Sequence, residues 1–510
     1  MKQMFIDGLS CEFENAPNVL EVALNNNIDI PHMCYCENLS AFGGCRLCLV
    51  ETEKGAIESA CTLIPEDGMS IRTNSAKLRK HRQMTLELML ASHRAECTTC
   101  EKSGKCRLQQ YSKRYGVRMV RFAGSSRKAE IEDSSPALIR DPSKCVFCGS
   151  CVRMCSEMQG IHAIDFAGHG SQTFISCGLG KKLTDTDCVS CGQCAAVCPT
   201  SALVIKNDVQ EMWKVIYSAS KSVAIQIDPA VSAAVAEEFG LPAGQYVAGK
   251  LCTALRMLGV DYVFDTAYAF DMRTKKAARE LSDRLAKNER LPLVLSGCHS
   301  VSELMAKRYP GLISHCVSGD SAMMLLAQQI RDEYADEELF SVAAVPCASR
   351  KAEAVTAAKT EEGEKLIDLT LTTQELVSMI KEAGISLAQL PDARFDSPFV
   401  SGSDTGILSA VPGGMTEAVL KQLGVAFDGS KAAPCGVSDF EVQCGDKTLS
   451  VAVVCGLADA QRLLKDIEAG RSGYDLIEIN TCPYGCVGGS GQPALMKVLA
   501  QRKNAVYSAK

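Results

Sequence analysis

Two runs of cysteine with identical spacing carry the clearest chemical signal in this sequence. They follow the pattern C-x2-C-x2-C-x3-C and consist of Cys145, Cys148, Cys151 and Cys155, then Cys188, Cys191, Cys194 and Cys198. Thiolates at this spacing bind 4Fe–4S clusters, and where two runs occur the fourth cysteine of each run binds the cluster of the other. We therefore predict two clusters, with Cys198 completing the first run and Cys155 completing the second.

A separate group of cysteines lies nearer the start of the chain. Its members are Cys34, Cys45, Cys48 and Cys61, with the spacing C-x10-C-x2-C-x12-C. Thiolates are the usual ligands of iron–sulfur clusters, and Gly43 and Gly44 would let the loop wrap closely around such a cluster. A zinc ribbon is the alternative, less favoured because zinc ribbons usually carry two CxxC pairs. Cys11 and Cys36 fall outside the pattern and are predicted to be plain buried thiols.

A histidine and three cysteines form a third candidate site. They are His93, Cys97, Cys100 and Cys106, with the spacing H-x3-C-x2-C-x5-C. They follow a predicted helix over 75–93, in which Ser75 is the N-cap and Met84, Leu88 and Ala91 share a face. An isolated histidine is usually not a ligand, but this one lies at fixed spacing beside three cysteines. The four side chains could bind one zinc ion or a 4Fe–4S cluster with one imidazole ligand.

Four further cysteines are spread over the C-terminal part of the chain. Each follows an apolar run that is typical of a buried strand: Cys298, Cys347, Cys482 and Cys486. Because binding sites in parallel sheets form where strands end, these cysteines could converge on one more 4Fe–4S cluster. From the residues alone, structural thiols are an open alternative.

The elements that must position these residues differ along the chain. Short apolar runs and turn signals before residue 75 predict a small sheet domain. After about residue 214, apolar runs such as 222–228, 261–265 and 449–456 alternate with helical stretches, which predicts an α/β domain with a parallel sheet. The predicted domains are residues 1–74, 75–120, 136–210 and 214–510.

Composition excludes several classes of function. The chain has 510 residues, is 46% hydrophobic and 22% charged, and carries a net charge of −6 without a long basic run. Nucleic acid and anionic membranes are therefore poor partners, and no apolar run approaches the roughly 20 residues that span a bilayer. Of the 27 cysteines, 18 lie between Cys11 and Cys198. In a long chain that begins without a signal-peptide pattern, such cysteines predict metal binding in a reducing cytoplasm.

The order of these motifs resembles that of the iron-only (FeFe) hydrogenases along nearly the whole chain. Two of the sites, that of Cys34, Cys45, Cys48 and Cys61 and that of His93, Cys97, Cys100 and Cys106, also resemble the start of the largest peripheral subunit of respiratory complex I. The resemblance implies an α+β multidomain fold: a β-grasp 2Fe–2S domain, a small helical His/Cys3 domain, a two-cluster ferredoxin domain and a two-lobed α/β domain. It favours iron over zinc at both open sites, which gives one 2Fe–2S and four 4Fe–4S clusters in total.

In that family the C-terminal domain holds the H-cluster. The resemblance implies that its 4Fe–4S part is bound by Cys298, Cys347, Cys482 and Cys486, and that Cys486 also bridges to a diiron subsite. The predicted catalytic positions depart from the family pattern: Gly297 stands where the family has a proton-donating cysteine, Arg350 where it has a lysine, and Asn480 where it has a methionine. Ala277 replaces one of two glutamates on the family's proton path, and Glu280 matches the other. Because glycine has no titratable group, that proton step is expected to be lost.

The resemblance predicts an iron–sulfur oxidoreductase of the hydrogenase type. Electrons would pass between ferredoxin, or a flavin- and NAD(P)-binding partner subunit, and the H-cluster for reversible H2 oxidation and proton reduction. The sequence shows no dinucleotide-binding fingerprint, so any NAD(P) would bind to a partner. Two alternatives stay open: an electron-relay subunit that keeps the clusters without diiron chemistry, and a slow H2 sensor, for which no output module is apparent.

Overall fold

The computed structural model describes residues 2–124, 130–178, 180–356, 365–399, 402–445, 447–493 and 498–508. These residues form four successive domains, and the predicted α+β multidomain fold is confirmed. Among them, no helix combines the length and the apolar character that crossing a membrane requires. No disulfide bond links any of the 27 cysteines, all of which lie in the described ranges.

A five-stranded sheet crossed by one helix forms the first domain. Its elements are β1 (Lys2–Ile6), β2 (Leu9–Phe13), α1 (Val19–Asn25), β3 (Leu49–Thr52), β4 (Ile57–Ser59) and β5 (Ser70–Arg72). The strand order is β2-β1-β5-β3-β4, with β1 parallel to β5 and the other pairs antiparallel, which is the predicted β-grasp arrangement. Met4, Ile6, Val19 and Leu20 are fully buried in its core.

Two helices, α2 (Ala76–Ala91) and α3 (Arg107–Arg114), form the small second domain. The Ser75 hydroxyl caps α2 by accepting a hydrogen bond from the N–H of Leu78 at 3.3 Å, as predicted. The face that carries Met84 and Leu88 is turned to solvent, and these side chains are 38% and 51% exposed. The opposite face is buried and presents Arg82 to the first domain.

Arg82 ties the first two domains together. Its side chain is 1% exposed, and its guanidinium donates to the carbonyl oxygens of Leu47 at 3.0 Å, Thr73 at 2.8 Å and Leu49 at 2.6 Å. A buried cation without such partners would be strongly destabilising. A charged residue therefore anchors the buried face of this helix, although the spacing of the apolar residues indicated the opposite face.

The third domain is a compact pair of repeats. Its elements are β6 (Leu138–Arg140), α4 (Ser150–Arg153), β7 (Asp165–Ala167), β8 (Phe174–Ser176), α5 (Gln193–Ala196) and β9 (Leu203–Ile205). Strands β6 and β9 pair antiparallel and bring the two ends of the domain together, while β7 and β8 form a hairpin. Helix α4 continues into a single π-helical turn over Met154–Met158.

The fourth domain has two lobes, each built on a four-stranded sheet. Its strands are β10 (Ser222–Ile227), β11 (Tyr262–Asp265), β12 (Leu293–Leu295), β13 (Leu339–Val345), β14 (Leu369–Thr372), β15 (Gly436–Cys444), β16 (Lys447–Cys455) and β17 (Leu476–Asn480). One sheet has the order β11-β10-β13-β14 and is parallel throughout. The other has the order β12-β17-β16-β15, and its edge strand β15 runs antiparallel because a hairpin joins it to β16. The runs predicted as parallel strands all pair in parallel, and the antiparallel edge strand β15 was not among them.

Helices cover both sheets of the fourth domain. They are α6 (Val209–Ser218), α7 (Pro229–Ser232), α8 (Ala248–Leu258), α9 (Thr266–Lys287), α10 (His299–Arg308), α11 (Ala322–Glu333), α12 (Ala348–Thr356), α13 (Thr373–Glu382), α14 (Asp404–Ile407), α15 (Gly414–Gln422), α16 (Leu457–Glu468) and α17 (Leu499–Ser508). Helices α10 and α12 follow β12 and β13 in the chain. The short connections between strand and helix carry cysteines, which therefore lie at the carboxyl ends of those strands. This edge of the sheets holds the C-terminal site.

The third and fourth domains share one continuous core. Val152 and Ile161 of the third domain lie in the same buried cluster as Leu304, Leu457 and Ile477 of the fourth. Polar contacts reinforce the junction: Arg308 of α10 donates to the carbonyl oxygens of residues 160 and 161 at 2.9 and 2.8 Å. The ferredoxin-like repeats are thus fixed against the C-terminal domain.

Candidate metal centres

The eight cysteines of the third domain separate into two groups. Burial, with Cys198 and Cys145 close by, raises the pKa of Cys148 to about 12, and Cys198 also raises the pKa of Cys151. Cys155 instead raises the pKa of the second run, namely Cys188, Cys191 and Cys194. The structure thus brings Cys198 to the first run and Cys155 to the second, which is the exchange that the spacing predicted.

The two runs also share an uncommon loop conformation. Phe147 and Ser190 occupy equivalent positions and have positive φ angles of 53° and 52°. Their N–H groups donate to the sulfur atoms of Cys145 and Cys188, both at 3.4 Å. Side chains rarely adopt a positive φ, and an N–H directed at a sulfur favours its thiolate form. The repeated geometry suits loops that wrap a cluster.

Residues of the first run line a cavity together with Cys198. Its walls include Cys145, Cys148, Cys151 and Cys198. Four thiols in one apolar cavity fit a 4Fe–4S cluster in donor type and number, and cluster insertion would displace their protons. Across the described ranges, no three His, Cys, Asp or Glu side chains are arranged around a single metal ion.

The N-terminal group of cysteines is brought together inside the β-grasp domain. Cys34, Cys45, Cys48 and Cys61 are 1%, 2%, 1% and 0% exposed. Hydrogen bonds from the Cys45 and Cys61 thiols lower the pKa of Cys34, and Cys61 likewise lowers the pKa of Cys48. The N–H of Met33 donates to the sulfur of Cys45 at 3.4 Å. Four adjacent sulfurs, two of them with a lowered pKa, fit a two-iron cluster in donor type and number.

The third predicted site is brought together in part. Cys97 and Cys100 lie close enough to raise the pKa of Cys106. The imidazole of His93 is held by a hydrogen bond between its Nδ1 and the carbonyl oxygen of Lys144 at 3.1 Å, which leaves Nε2 as the ring atom available to a metal. The charged neighbours that shift the pKa of His93 are Lys144 and Asp141, and no cysteine is among them in the described structure.

The C-terminal cysteines converge from three strand ends. Cys298 precedes α10, Cys347 precedes α12, and Cys482 and Cys486 follow β17. Burial raises the pKa of Cys482, and the nearby Cys347, Cys298 and Cys486 raise it further. Burial and Cys298 together raise the pKa of Cys347 to about 12. The structure therefore brings together all four cysteines that the strand-end argument selected, and they fit a 4Fe–4S cluster in donor type and number.

Gln193 joins the second run of the third domain to this C-terminal group. Its Nε2 donates to the sulfur of Cys482 at 3.0 Å and to the carbonyl oxygen of Gly488 at 3.3 Å. Cys191 is one of the neighbours that raise the pKa of Cys482. Sequence reasoning missed Gln193, whose only signal was its position between two predicted ligands, Cys191 and Cys194.

The glycines after Cys486 serve packing between loops. A Cβ on Gly488 would lie 2.0 Å from the carbonyl oxygen of Pro483, and one on Gly489 would lie 2.5 Å from that of Pro346. Gly192 in the third domain is equally restricted, because a Cβ there would meet the Ser490 hydroxyl at 2.4 Å. Only glycine therefore lets the strand-end loops and the ferredoxin-like domain approach this closely.

Arg350 and Gly297 lie against each other beside the C-terminal group. The Arg350 side chain is buried, its Nη2 donates to the carbonyl oxygen of Gly297, and its Nη1 pairs with Glu353 at 2.5 Å. Glu353 and Asp228 raise the pKa of this guanidinium against the effect of burial. Arg350 in turn acts on the pKa of both Cys347 and Cys486, so a permanent cation lies at the cluster site.

The side chains of Glu280 and Asn480 form their hydrogen bonds with residues other than Gly297. Glu280 accepts a hydrogen bond from the Ser318 hydroxyl at 2.5 Å and pairs with Arg284 at 3.5 Å. Asn480 is buried, and its Nδ2 donates to Glu478 at 2.9 Å. Glu478 is a fully buried carboxylate that sequence reasoning missed, although an acidic residue inside the apolar run of β17 was its signal.

A cavity opens beside Gly297. Ala277 and Gly297 line it together with apolar side chains such as Phe270 and Met415, and Arg273 is its charged lining residue. Among the described residues around this cavity, none is Asp, Glu, His or Cys. No titratable acid therefore connects Gly297 to Glu280 through this space.

Known protein families match each of the four domains. The iron-only hydrogenase large subunit, C-terminal domain, matches residues 221–490. The 2Fe–2S iron–sulfur cluster binding domain matches residues 3–76, the NADH-ubiquinone oxidoreductase-G iron–sulfur binding region matches 82–121, and the 4Fe–4S dicluster domain matches 144–202. Fold, grouped cysteines and these matches define an iron–sulfur oxidoreductase.

Relatives extend the match over the whole chain. The NADP-reducing hydrogenase subunit HndD of Solidesulfovibrio fructosivorans is 32% identical over 100% of this chain and 92% of its own length. Iron hydrogenase 1 of Clostridium pasteurianum is 29% identical over 97% of this chain and 89% of its own. A solved variant of the [FeFe]-hydrogenase HydA1 from Chlamydomonas reinhardtii aligns with a TM-score of 0.51 and 28% identity, over 59% of this chain and 89% of that one. The chain belongs to the iron-only hydrogenase family.

Proposed function

We propose that this chain is the cluster-bearing subunit of an NAD(P)-linked complex that converts H2 slowly. The observation that carries the proposal is the contact between Gln193 and Cys482, which joins the ferredoxin-like repeats directly to the C-terminal cysteine group. A continuous path for electrons from the N-terminal domains into the C-terminal domain follows from it. The relative HndD, a subunit of an NADP-reducing hydrogenase, supports the coupling to NAD(P).

The proposed cofactors are one 2Fe–2S and four 4Fe–4S clusters, in the ligand sets that the sequence pattern and the family resemblance suggest. The 2Fe–2S cluster takes Cys34, Cys45, Cys48 and Cys61. A histidine-ligated cluster takes His93, Cys97, Cys100 and Cys106. The repeats supply two sets, Cys145, Cys148, Cys151 and Cys198, then Cys188, Cys191, Cys194 and Cys155. The C-terminal cluster takes Cys298, Cys347, Cys482 and Cys486.

Contacts between neighbouring sites support this order of electron transfer. The Cys100 sulfur lies 2.7 Å from the Ser201 hydroxyl, and Lys102 donates to the carbonyl oxygen of Cys198 at 2.6 Å. These bonds fix the histidine-ligated site to the first repeat cluster. Gln193 makes the corresponding connection from the second repeat cluster to the C-terminal one.

Cys486 would also hold a diiron subsite, which supplies the H2 chemistry of the family when bound. Around this subsite the chain would supply a positive charge but few groups that can transfer a proton. Arg350 keeps a buried positive charge beside Cys486, which suits an anionic group. Gly297 and Ala277 have no titratable proton to give, and the Glu280 carboxylate is bonded to Ser318 and Arg284. Turnover limited by proton delivery follows, since a positioned general acid typically contributes 10²–10⁴-fold.

An electron-relay subunit is the second candidate. The same lack of proton donors at Gly297 and Ala277 favours it. The clusters and their contacts would be unchanged, but electrons would leave the C-terminal cluster for a further acceptor without H2 chemistry. Both candidates require the same chain of clusters. They differ in whether H2 reduces those clusters.

The proposed partners are a flavin- and NAD(P)-binding subunit and ferredoxin, in the cytoplasm. The family match to the NADH-ubiquinone oxidoreductase-G iron–sulfur region supports a partner of the first kind. The 27 cysteines, without a disulfide among them, are typical of a reducing compartment.

The test is whether H2 reduces the clusters of the anaerobically matured protein. We expect slow appearance of reduced-cluster signals in electron paramagnetic resonance under H2, and the same signals at once with dithionite. Addition of a flavoprotein partner should then couple H2 oxidation to NAD(P)+ reduction. Clusters that respond to dithionite and never to H2 would leave the electron-relay candidate in place.

A further inference from the structure

Arg153 is a buried cation at the junction between the first and third domains. It belongs to α4 of the third domain and is 7% exposed. Its Nη1 donates to the carbonyl oxygen of Ser40 and its Nη2 to that of Cys34, both in the first domain. Its Nε is buried and has no hydrogen-bond partner in the described structure. The guanidinium is therefore directed from one domain into the cysteine-bearing loop of the other.

Aromatic packing fixes the guanidinium at this junction. Its central carbon lies 5.3 Å from the centroid of the Phe42 ring, which belongs to the first domain. Phe42 in turn stacks on Phe166 of the third domain, with 6.1 Å between the ring centroids. A cation over an aromatic face is attracted by the electrons of the ring. Contacts from both domains thus hold the charge in one place.

Two titratable side chains next to this junction only partly offset the charge. Glu157 is exposed, and its carboxylate accepts hydrogen bonds from the N–H and the hydroxyl of Ser40 at 2.8 and 2.6 Å. Burial raises the pKa of Cys36, and Arg153 acts on it in the opposite direction. Among the described residues, no carboxylate forms an ion pair with Arg153. Removing a cation from water is costly unless an opposite charge accompanies it.

The neighbouring cluster site can supply that opposite charge. Cys34, whose carbonyl oxygen accepts from Arg153, is one of the four cysteines proposed to bind the 2Fe–2S cluster. A cluster bound by four thiolates is an anion, and its reduction adds a further negative charge. A cation beside it stabilises the reduced state more than the oxidised state and so raises the reduction potential. Arginine is always protonated in proteins, so this effect does not depend on pH.

We propose that Arg153 is the counter-charge of the 2Fe–2S cluster and raises its reduction potential. The third domain would then set the potential of a cluster that the first domain holds. This inference rests on the cofactors proposed above. It implies that the 2Fe–2S cluster accepts electrons most readily while the two domains are in contact.

Redox titration of the cluster-loaded full chain, followed by electron paramagnetic resonance, tests the proposal. In Arg153→Met the ratio of reduced to oxidised 2Fe–2S cluster at a fixed potential should fall about tenfold, which equals about 59 mV for a one-electron couple. This is the size expected for one charge at roughly 10 Å in a medium of effective dielectric about 20. Arg153→Lys keeps the charge and should recover most of this loss.

Ser40→Ala is the matched control. It removes a hydrogen bond to Glu157 at the same junction without changing any charge, and it should leave the ratio within about twofold. The C-terminal cluster of the same molecules is an internal control. Its potential should be the same in every variant, since the described hydrogen bonds of the Arg153 guanidinium go to the first domain.

Glu157→Gln provides a second variant that leaves the arginine in place. Loss of this exposed carboxylate should raise the potential of the 2Fe–2S cluster, by less than Arg153→Met lowers it, because water and salt screen the charge. An unchanged potential in Arg153→Met, or an equal fall in Arg153→Lys, would overturn the proposal. So would a fall in Glu157→Gln. Absence of any 2Fe–2S signal in the unmodified protein after reduction with dithionite would instead overturn the cofactor assignment on which the proposal rests.

Discussion

Replacing Gly297 by cysteine should restore a proton donor to the C-terminal site. The structure accepts the change: a Cβ at this position would lie 3.5 Å from Phe270, 3.6 Å from the Met415 sulfur and 3.8 Å from Arg350, all ordinary contacts. The φ angle of Gly297 is outside the left-handed region, so a side chain introduces no backbone strain. The substitution therefore tests chemistry with little effect on folding.

The gain in H2 evolution should be about 10²-fold. A positioned general acid contributes about 10²–10⁴-fold, and the lower end applies because Ala277 leaves the next step without a titratable group. This factor corresponds to about 2.7 kcal/mol of activation free energy. A thiol acts as the donor only while it is protonated, so the gain should shrink as pH rises through the pKa of the new cysteine.

The assay is H2 evolution from a reduced viologen by anaerobically matured protein at equal iron content. Gly297→Ala and Gly297→Ser are the controls, because they add a Cβ without an acid of suitable pKa. An equal gain in the alanine variant would refute the reasoning, since packing and not proton donation would then explain it. No gain in the cysteine variant, in protein that carries the diiron subsite, would refute it as well.

Three further changes test the wiring and its supports. Gln193→Leu removes the N–H···S bond to Cys482. If this bond is about 1 kcal/mol stronger to the reduced cluster, the potential of the C-terminal cluster should fall by roughly 40 mV in a redox titration. An unchanged potential would argue against this bond. His93→Cys should lower the potential of one N-terminal cluster because a thiolate adds negative charge; a titration in which no cluster responds would exclude His93 as a ligand. Arg82→Ala should destabilise the N-terminal domains by about 3 kcal/mol in urea unfolding, since three buried carbonyl groups lose their donor, and a loss below about 1 kcal/mol would contradict that role.

Local spacing was enough to predict how the cysteines of the repeats group. The three-residue intervals within each run place the sulfurs on one loop, and the antiparallel pairing of β6 with β9 then brings Cys198 to the first run. The ends of strands can also be predicted from the local sequence pattern. For this reason Cys298, Cys347 and Cys482 could be predicted to lie close together. Each inference depends on a short piece of chain and a general rule of sheet geometry.

Contacts between distant parts of the chain were not predictable in this way. The buried face of α2 is the face that carries Arg82, because the carbonyl groups to which Arg82 donates belong to another domain. The spacing of apolar residues within the helix gives no information about such partners. Gln193 became visible only when the third domain was placed against β17.

Infrared spectroscopy of the anaerobically matured protein is the most direct test of the central claim, that the C-terminal cysteines form an H-cluster site fed by the N-terminal clusters. The account predicts absorption bands of carbon monoxide and cyanide bound to iron, in protein whose H2 evolution is nevertheless slow. Protein that contains all the iron of the five proposed clusters, about 18 atoms, and shows no such bands would contradict it.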